Sequence, residues 1–417
     1  MISSKLRHFV NLINLSSCLF LIFALILQNR KLELGTYYVF FFSYVIEFFT
    51  DKKWQNFTFD RKTKYFGVIL LFFALAFIYY PFEFNTHYFS LLIEKRYPLL
   101  GFSIVGIFGL NHFYRLRYFI ISITFTSLAI ILYLVFIKVG IAEFIKDENL
   151  FNLSRIKFVN THMIMNFYIN SSIIGIWYLL SRYWTKINLF SKIILFVSLF
   201  IFLYILSISE GRTGFVFGMA ISFILVLYEL WKKKKALALL FAFLIPWIAL
   251  AMISLHQRMD IELIKNEPRY FLWEAGMSVV KEKPILGHGI SSAQIKYDAA
   301  REIYQTEAYK NQWVASKHLD SHSQYIQSWM EFGVLGLILV LFIYLIPFFL
   351  VDKKRKIMML LFIALCAFQS LFDMFLTGNF SAIFCLWLVF LLLTGDSHKK
   401  INKKNRISRT LKSPFSY

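Results

Sequence analysis

Residues 118–137 read YFIISITFTSLAIILYLVFI. The run holds no charged residue, and as an α-helix rising about 1.5 Å per residue it is long enough to cross about 30 Å of hydrocarbon. Arg117 stands immediately before it and Lys138 immediately after it. In lipid a helix satisfies every backbone N–H and C=O within one segment, which is why such a run decides the fold.

Working outward, the same pattern recurs. It gives about twelve expected spans, near 9–28, 34–50, 65–84, 98–112, 118–137, 161–181, 190–209, 213–231, 236–255, 329–351, 357–376 and 381–394. Of 417 residues, 58% are hydrophobic and 17% charged, too little polar material to coat one soluble globule. The first run is too long for the apolar core of a signal peptide and has no small-residue cleavage site, so it is expected to stay as a span. The expected fold class is an all-α polytopic membrane protein.

The basic residues orient it. A net charge of +21 would suit nucleic acid if it lay on a folded soluble face, but here it sits between spans, and no nucleic-acid partner is expected. Lys5 and Arg7, the stretch Lys52 to Lys64, Arg115 and Arg117, Arg182 to Lys192, Lys232 to Lys235, Lys353 to Lys356 and the tail share one side if the spans alternate. The positive-inside rule makes that side cytoplasmic, with both termini on it and membrane lipids as the partners of these charges. The expected organisation is spans one to nine over 1–255, a periplasmic loop domain over 256–328, spans ten to twelve over 329–394 and a basic cytoplasmic tail over 395–417. Cys18, Cys366 and Cys385 lie inside apolar runs without ligand spacing, so neither a disulfide framework nor a metal site is expected.

Of the segments on the opposite side, three are worth reading. Segment 138–160, with Lys146, Arg155 and Lys157, is expected to anchor near headgroups. In the long loop, Pro268 opens an expected helix with Phe271, Ala275 and Val279 at helical spacing, closed by Pro284 and a turn at Gly287 to Gly289. Ser291 and Ser292 are candidate N-caps of a second helix over 293–312, with Tyr297, Ala300 and Tyr304 on one stripe. Two short amphipathic helices along the outer membrane face would cover a cleft for lipid-linked substrates.

The turn SISEGRTGFVFG, residues 207–218, sets Glu210 and Arg212 between two spans with almost no loop. Such an arginine either snorkels beside Glu210 or offers its fork of donors to a phosphate. In HSQYIQSWMEFGVLG, residues 322–336, His322 stands where a polar loop becomes an apolar helix. It is either an ordinary polar contact or a general base, since its pKa lies near neutrality. Asp320 either orients that ring or is a solvated loop acid. Gly333 and Gly336 are expected to admit another helix, and Asp373, deep in the eleventh span, must pair or face a cavity. Glu267 and Glu274 flank Arg269 and are expected to pair with nearby cations rather than to act as a glycosidase pair.

These residues resemble the bacterial O-antigen ligases and their relatives, the O-antigen polymerases and O-linked oligosaccharyltransferases. That superfamily carries His, then Asn, Ser or Gln, nine residues, Gly, two residues, and Gly, Thr or Tyr; His322, Ser323, Gly333 and Gly336 fill the pattern. SEGRTG is similar to the family's arginine beside a span. PRYFLWEAGMSVVKEKPILGHG, residues 268–289, is similar to its Arg, Trp, Pro, Gly-x-Gly segment in the loop. The resemblance covers roughly residues 200–345, and the first half shares hydropathy alone.

The resemblance implies a fold similar to GT-C-type membrane glycosyltransferases. It further implies transfer of a glycan from undecaprenyl pyrophosphate to a sugar hydroxyl of lipid A-core in the periplasmic leaflet, inverting, with no metal and no nucleotide cofactor. Arg212 and Arg269 would then grip the pyrophosphate with Glu210 and Asp320 beside the substrates, and His322 would deprotonate the acceptor. The motif as written is the one associated with ligases, although polymerases share much of it. A transporter or flippase is the rival class; it predicts related halves with Pro- or Gly-broken spans at matching positions, while here the prolines are scattered and one long external loop makes the halves unlike.

Overall fold

The computed structural model describes residues 4–27, 29–83, 85–109, 116–141, 144, 162–209, 211–255, 269–304 and 320–394. Among these residues every regular element is helical. α1 (Ser4–Leu27) and α2 (Arg30–Thr50) form a hairpin, followed by α3 (Arg61–Tyr79), the short α4 (Thr86–Glu94) and α5 (Tyr97–Phe108). α6 (Leu116–Tyr133) runs on into a π-helical turn, Leu134–Val139. Then come α7 (His162–Tyr183), α8 (Leu189–Ile208), α9 (Arg212–Lys233) and α10 (Lys235–Leu255). α11 (Arg269–Glu282) and α12 (Ile290–Tyr304) lie in the long loop, and α13 (Gln324–Leu350), α14 (Lys356–Gln369) and α15 (Asn379–Thr394) close the chain.

Among the described residues each expected apolar run overlaps a helix. Among the described residues seven helices are long and apolar enough to cross a membrane, including the opening run within Leu116–Val139. Lipid is as apolar as leucine, so the bundle is held by close packing and interhelical hydrogen bonds rather than by a hydrophobic drive. α3 packs between α5 and α13, where the buried Tyr65 hydroxyl donates to the Ile343 carbonyl at 3.1 Å. All three cysteines are buried, as small apolar side chains are in such an interior.

Of the boundaries that differ from the hydropathy reading, two bear on the site. α13 begins at Gln324, ahead of the apolar run, because Ser323 caps it and polar residues fill its first turns. α14 ends at Gln369, short of the expected 376, so Asp373 sits in the connector to α15 and not deep in a span. α4 was not expected as an element of its own.

α13 is broken. Gly333 has φ 63 and ψ −157, a backbone region essentially confined to glycine. The carbonyls of Met330 and Glu331 turn to the loop between α11 and α12, accepting from His288 N–H at 2.9 Å and Gly289 N–H at 2.8 Å, while Val334 N–H donates to the Pro284 carbonyl at 3.0 Å. The loop is spliced into the helix. A Cβ on Gly333 would stand 2.0 Å from the Ile285 carbonyl oxygen. Gly333 therefore admits a backbone loop rather than another helix, and Gly336 faces Phe332 and Ser328, earlier residues of its own helix. One span is thus glycine-broken, a feature that the residue pattern did not disclose.

α11 and α12 pair as a cap on the start of α13, burying Phe271, Leu272, Ala275, Val279, Val280, Ala293, Tyr297 and Met330 in a core of their own. The expected stripe of Phe271, Ala275 and Val279 is its heart. Ser291 and Ser292 are not N-caps, since α12 begins at Ile290. Their N–H groups donate instead to Glu83, at 2.9 Å and 3.0 Å, and Ile290 N–H joins them. A carboxylate from the α3–α4 connector thereby caps a helix far away in sequence, where the helix dipole favours negative charge. Tyr79 at the end of α3 also donates to the Leu286 carbonyl. The cap, α4, the end of α3 and the starts of α5 and α13 all lie at one end of the bundle.

Candidate active site

His322 stands just before α13, and its surroundings hold it there. Gln324 N–H donates to the Ser370 carbonyl at 2.9 Å, and Gln324 Oε1 accepts from Leu376 N–H at 2.8 Å and Thr377 N–H at 3.2 Å. These bonds bolt the α14–α15 connector to the first residue of α13. His322 itself has φ 46, a left-handed conformation that costs a side-chain-bearing residue about 1–2 kcal/mol. Asp320 stabilises it: Oδ1 accepts the His322 N–H at 3.0 Å and lies 3.6 Å from Nδ1, within ion-pair reach once the ring is protonated. The Asp320 carbonyl is fixed in turn by the Tyr297 hydroxyl of α12, at 3.2 Å. With 19% of its side chain exposed, His322 is sheltered yet open to a substrate.

Asp373 faces this group. Met374 N–H donates to its Oδ1 at 2.8 Å. The side chain keeps some solvent contact, but burial among the surrounding chain raises the carboxyl above the usual carboxylate range. The negative charge of Asp320 adds to the rise, whereas His322 and Arg269 oppose it. Asp320, His322, Asp373 and Arg269 are one electrostatic cluster.

Arg269, the first residue of α11, reaches across to α7. Its Nη2 lies 3.2 Å from Met163 Sδ and its guanidinium 5.9 Å from the centre of the Phe372 ring, which also packs on Trp273 at 5.8 Å. The same end of α7 holds the glycine turn before α9: Asn166 Nδ2 donates to Ser209 Oγ at 3.1 Å and Asn170 Nδ2 to the Gly214 carbonyl at 3.0 Å. Arg212 begins α9 beside that helix and is described by its backbone alone; Glu210 lies outside the described residues. Lys146, Arg155, Lys157, Pro268 and Glu267 also lie outside them, and Glu274 is exposed.

The structure therefore brings together His322, Asp320 and Arg269, sets the Arg212 turn on the helix that Arg269 touches, and adds Asp373. Sequence reasoning noticed Asp373 without finding its partners. Glu83, Arg96 and Glu331 went unnoticed, and their only signal was a charge in or beside an apolar run. His288, between the two loop glycines, is buried and donates from Nε2 to the Val279 carbonyl at 3.1 Å; burial lowers its pKa, which suits a structural, neutral ring.

A helical bundle with several membrane spans, a cap spliced into a broken span, and a histidine set among carboxylates and an arginine at that boundary define a polytopic membrane protein with a candidate acid–base site at one end. Residues 194–341, from α8 to most of α13, match the family model described as O-Antigen ligase. It is also 28% identical over 182 residues to an uncharacterized protein of Haemophilus influenzae. The match covers 38% of this chain and 43% of that relative, so the chain spans less than half the length of the curated protein it resembles.

Proposed function

We propose that the protein is an O-antigen ligase, moving a glycan from undecaprenyl pyrophosphate to a sugar hydroxyl of lipid A-core at the periplasmic face of the bacterial inner membrane, with both termini cytoplasmic and about twelve spans. The observation that carries this reading is the cluster of His322, Asp320, Asp373 and Arg269 inside or directly beside the family-matched segment.

In this reading His322 takes the proton of the acceptor hydroxyl as its oxygen attacks the anomeric carbon. The bond from that carbon to the pyrophosphate oxygen breaks, and the lipid pyrophosphate leaves with the electron pair. Asp320 and Asp373 stabilise the imidazolium that forms, as a carboxylate does beside any catalytic histidine. The leaving group is already a stable anion, so it needs cations more than an acid, and Arg269 and Arg212 supply them. The α11–α12 cap covers the site and keeps the acceptor's competitor, water, from the anomeric carbon.

The test supplies purified protein with a lipid-pyrophosphate-linked glycan and either lipid A-core or a second lipid-linked repeat. Extension of lipid A-core supports the ligase reading. Extension of the lipid-linked repeat alone makes the protein a polymerase.

A further inference from the structure

Residues outside the family-matched segment act on the half-helix 324–332, the part of α13 that precedes the Gly333 break and begins beside His322. Arg96, at the entrance to α5, is 2% exposed, and its Nη2 lies 2.7 Å from both carboxylate oxygens of Glu331, itself 1% exposed. Gln327 Nε2 adds a bond to Glu331 Oε1 at 2.9 Å. The guanidinium lies 5.6 Å from the centre of the Phe332 ring, which is wedged against Phe72 and Tyr79 of α3.

The break removes the continuous helical ladder that would otherwise fix the depth and rotation of this half-helix. Gln324, Gln327 and Glu331 lie on one helical face, at i, i+3 and i+7. Gln324 pins the top of that face to residues 376 and 377, and Glu331 pins its foot to Arg96. Stability alone does not account for the lower pin, because a buried ion pair is worth no more than well-packed apolar residues of similar volume.

We propose that Arg96 and Glu331 are the positioning residues for His322: their paired charges set the height and rotation of the half-helix that presents the ring. The inference rests on the base role given to His322 above. Glu83 plays the matching part for the cap, so a charged residue on either side of α4 holds the cap and the half-helix respectively.

Two variants test it in the full-length protein. Arg96→Met with Glu331→Leu removes both charges together and leaves no unpaired buried ion. Its melting temperature is expected to match the wild type while kcat falls roughly 10²-fold, the loss that accompanies about 1 Å of misplacement, with KM for the donor unchanged. Arg96→Lys keeps the charge but not the fork, and the same split between kcat and KM is expected. In both, the rate at which diethyl pyrocarbonate modifies His322, followed by mass spectrometry, is expected to shift.

Wild-type kcat together with a wild-type modification rate in either folded variant overturns the proposal. If the wild-type protein transfers no glycan, the base reading fails by itself, and the modification rate alone decides whether the pair positions the ring.

Discussion

A Cβ built on Gly287 would stand 2.4 Å from the backbone nitrogen of Gly333, so two glycines far apart in sequence meet backbone to backbone. That closeness lets the loop at 284–289 supply donors to the carbonyls which α13 leaves open at its break.

Gly333→Ala is expected to destabilise the protein by at least about 1–3 kcal/mol from the backbone conformation alone, with the clash against Ile285 in addition. Thermal melting, together with protease susceptibility of the cap at 269–304, measures it. A variant that melts with the wild type would mean that the loop does not depend on this junction.

Asp373 gives a pH dependence with a definite sign. Its carboxyl holds its proton more tightly in the folded protein than at its ordinary value of 3.8. Its contribution to stability is therefore full below that value and is lost as pH rises through the raised folded value. Asp373→Asn removes the loss, so the variant is expected to melt above the wild type near neutrality, with the two curves converging toward pH about 4, while its transfer rate falls. Melting temperatures of both proteins across that range decide it, and parallel curves would count against the buried setting of Asp373.

Arg269→Lys keeps a positive charge but loses the planar fork. If Arg269 grips the pyrophosphate, KM for the lipid-linked donor should rise roughly tenfold, the equivalent of one charge-assisted hydrogen bond. Steady-state kinetics against donor concentration read this directly. An unchanged KM would move the anion grip to other residues.

Much of this architecture was legible because lipid imposes a simple rule: uncharged runs such as 118–137 must be helices. The apolar stripe of α11 was legible for a similar reason, since Phe271, Ala275 and Val279 recur at helical spacing and are buried together. The break at Gly333 was not. It arises from a loop entering the helix from another part of the chain, and a glycine followed by Val334 reads the same whether a helix or a loop approaches.

The ends of elements were legible only in part. Hydropathy carried α14 past its true end because Leu371, Phe372, Met374, Phe375 and Leu376 are apolar, yet they line a connector in which the Leu376 and Thr377 N–H groups donate to Gln324. That error hid Asp373 in a span when it belongs beside His322. Arg96 and Glu331 were invisible for a different reason: one ends the charged run Glu94 to Arg96, the other is an acid near the start of an expected span, and neither shows its partner until the bundle brings them together.

The central claim is that His322 takes the proton from the acceptor hydroxyl. The most direct measurement is the single-turnover rate of glycan transfer by purified His322→Ala, with the variant shown to be inserted and to bind the lipid-pyrophosphate donor as the wild type does. A loss of at least about 10²- to 10⁴-fold, the range for removing a positioned general base, is the predicted result. Transfer at the wild-type rate would contradict it.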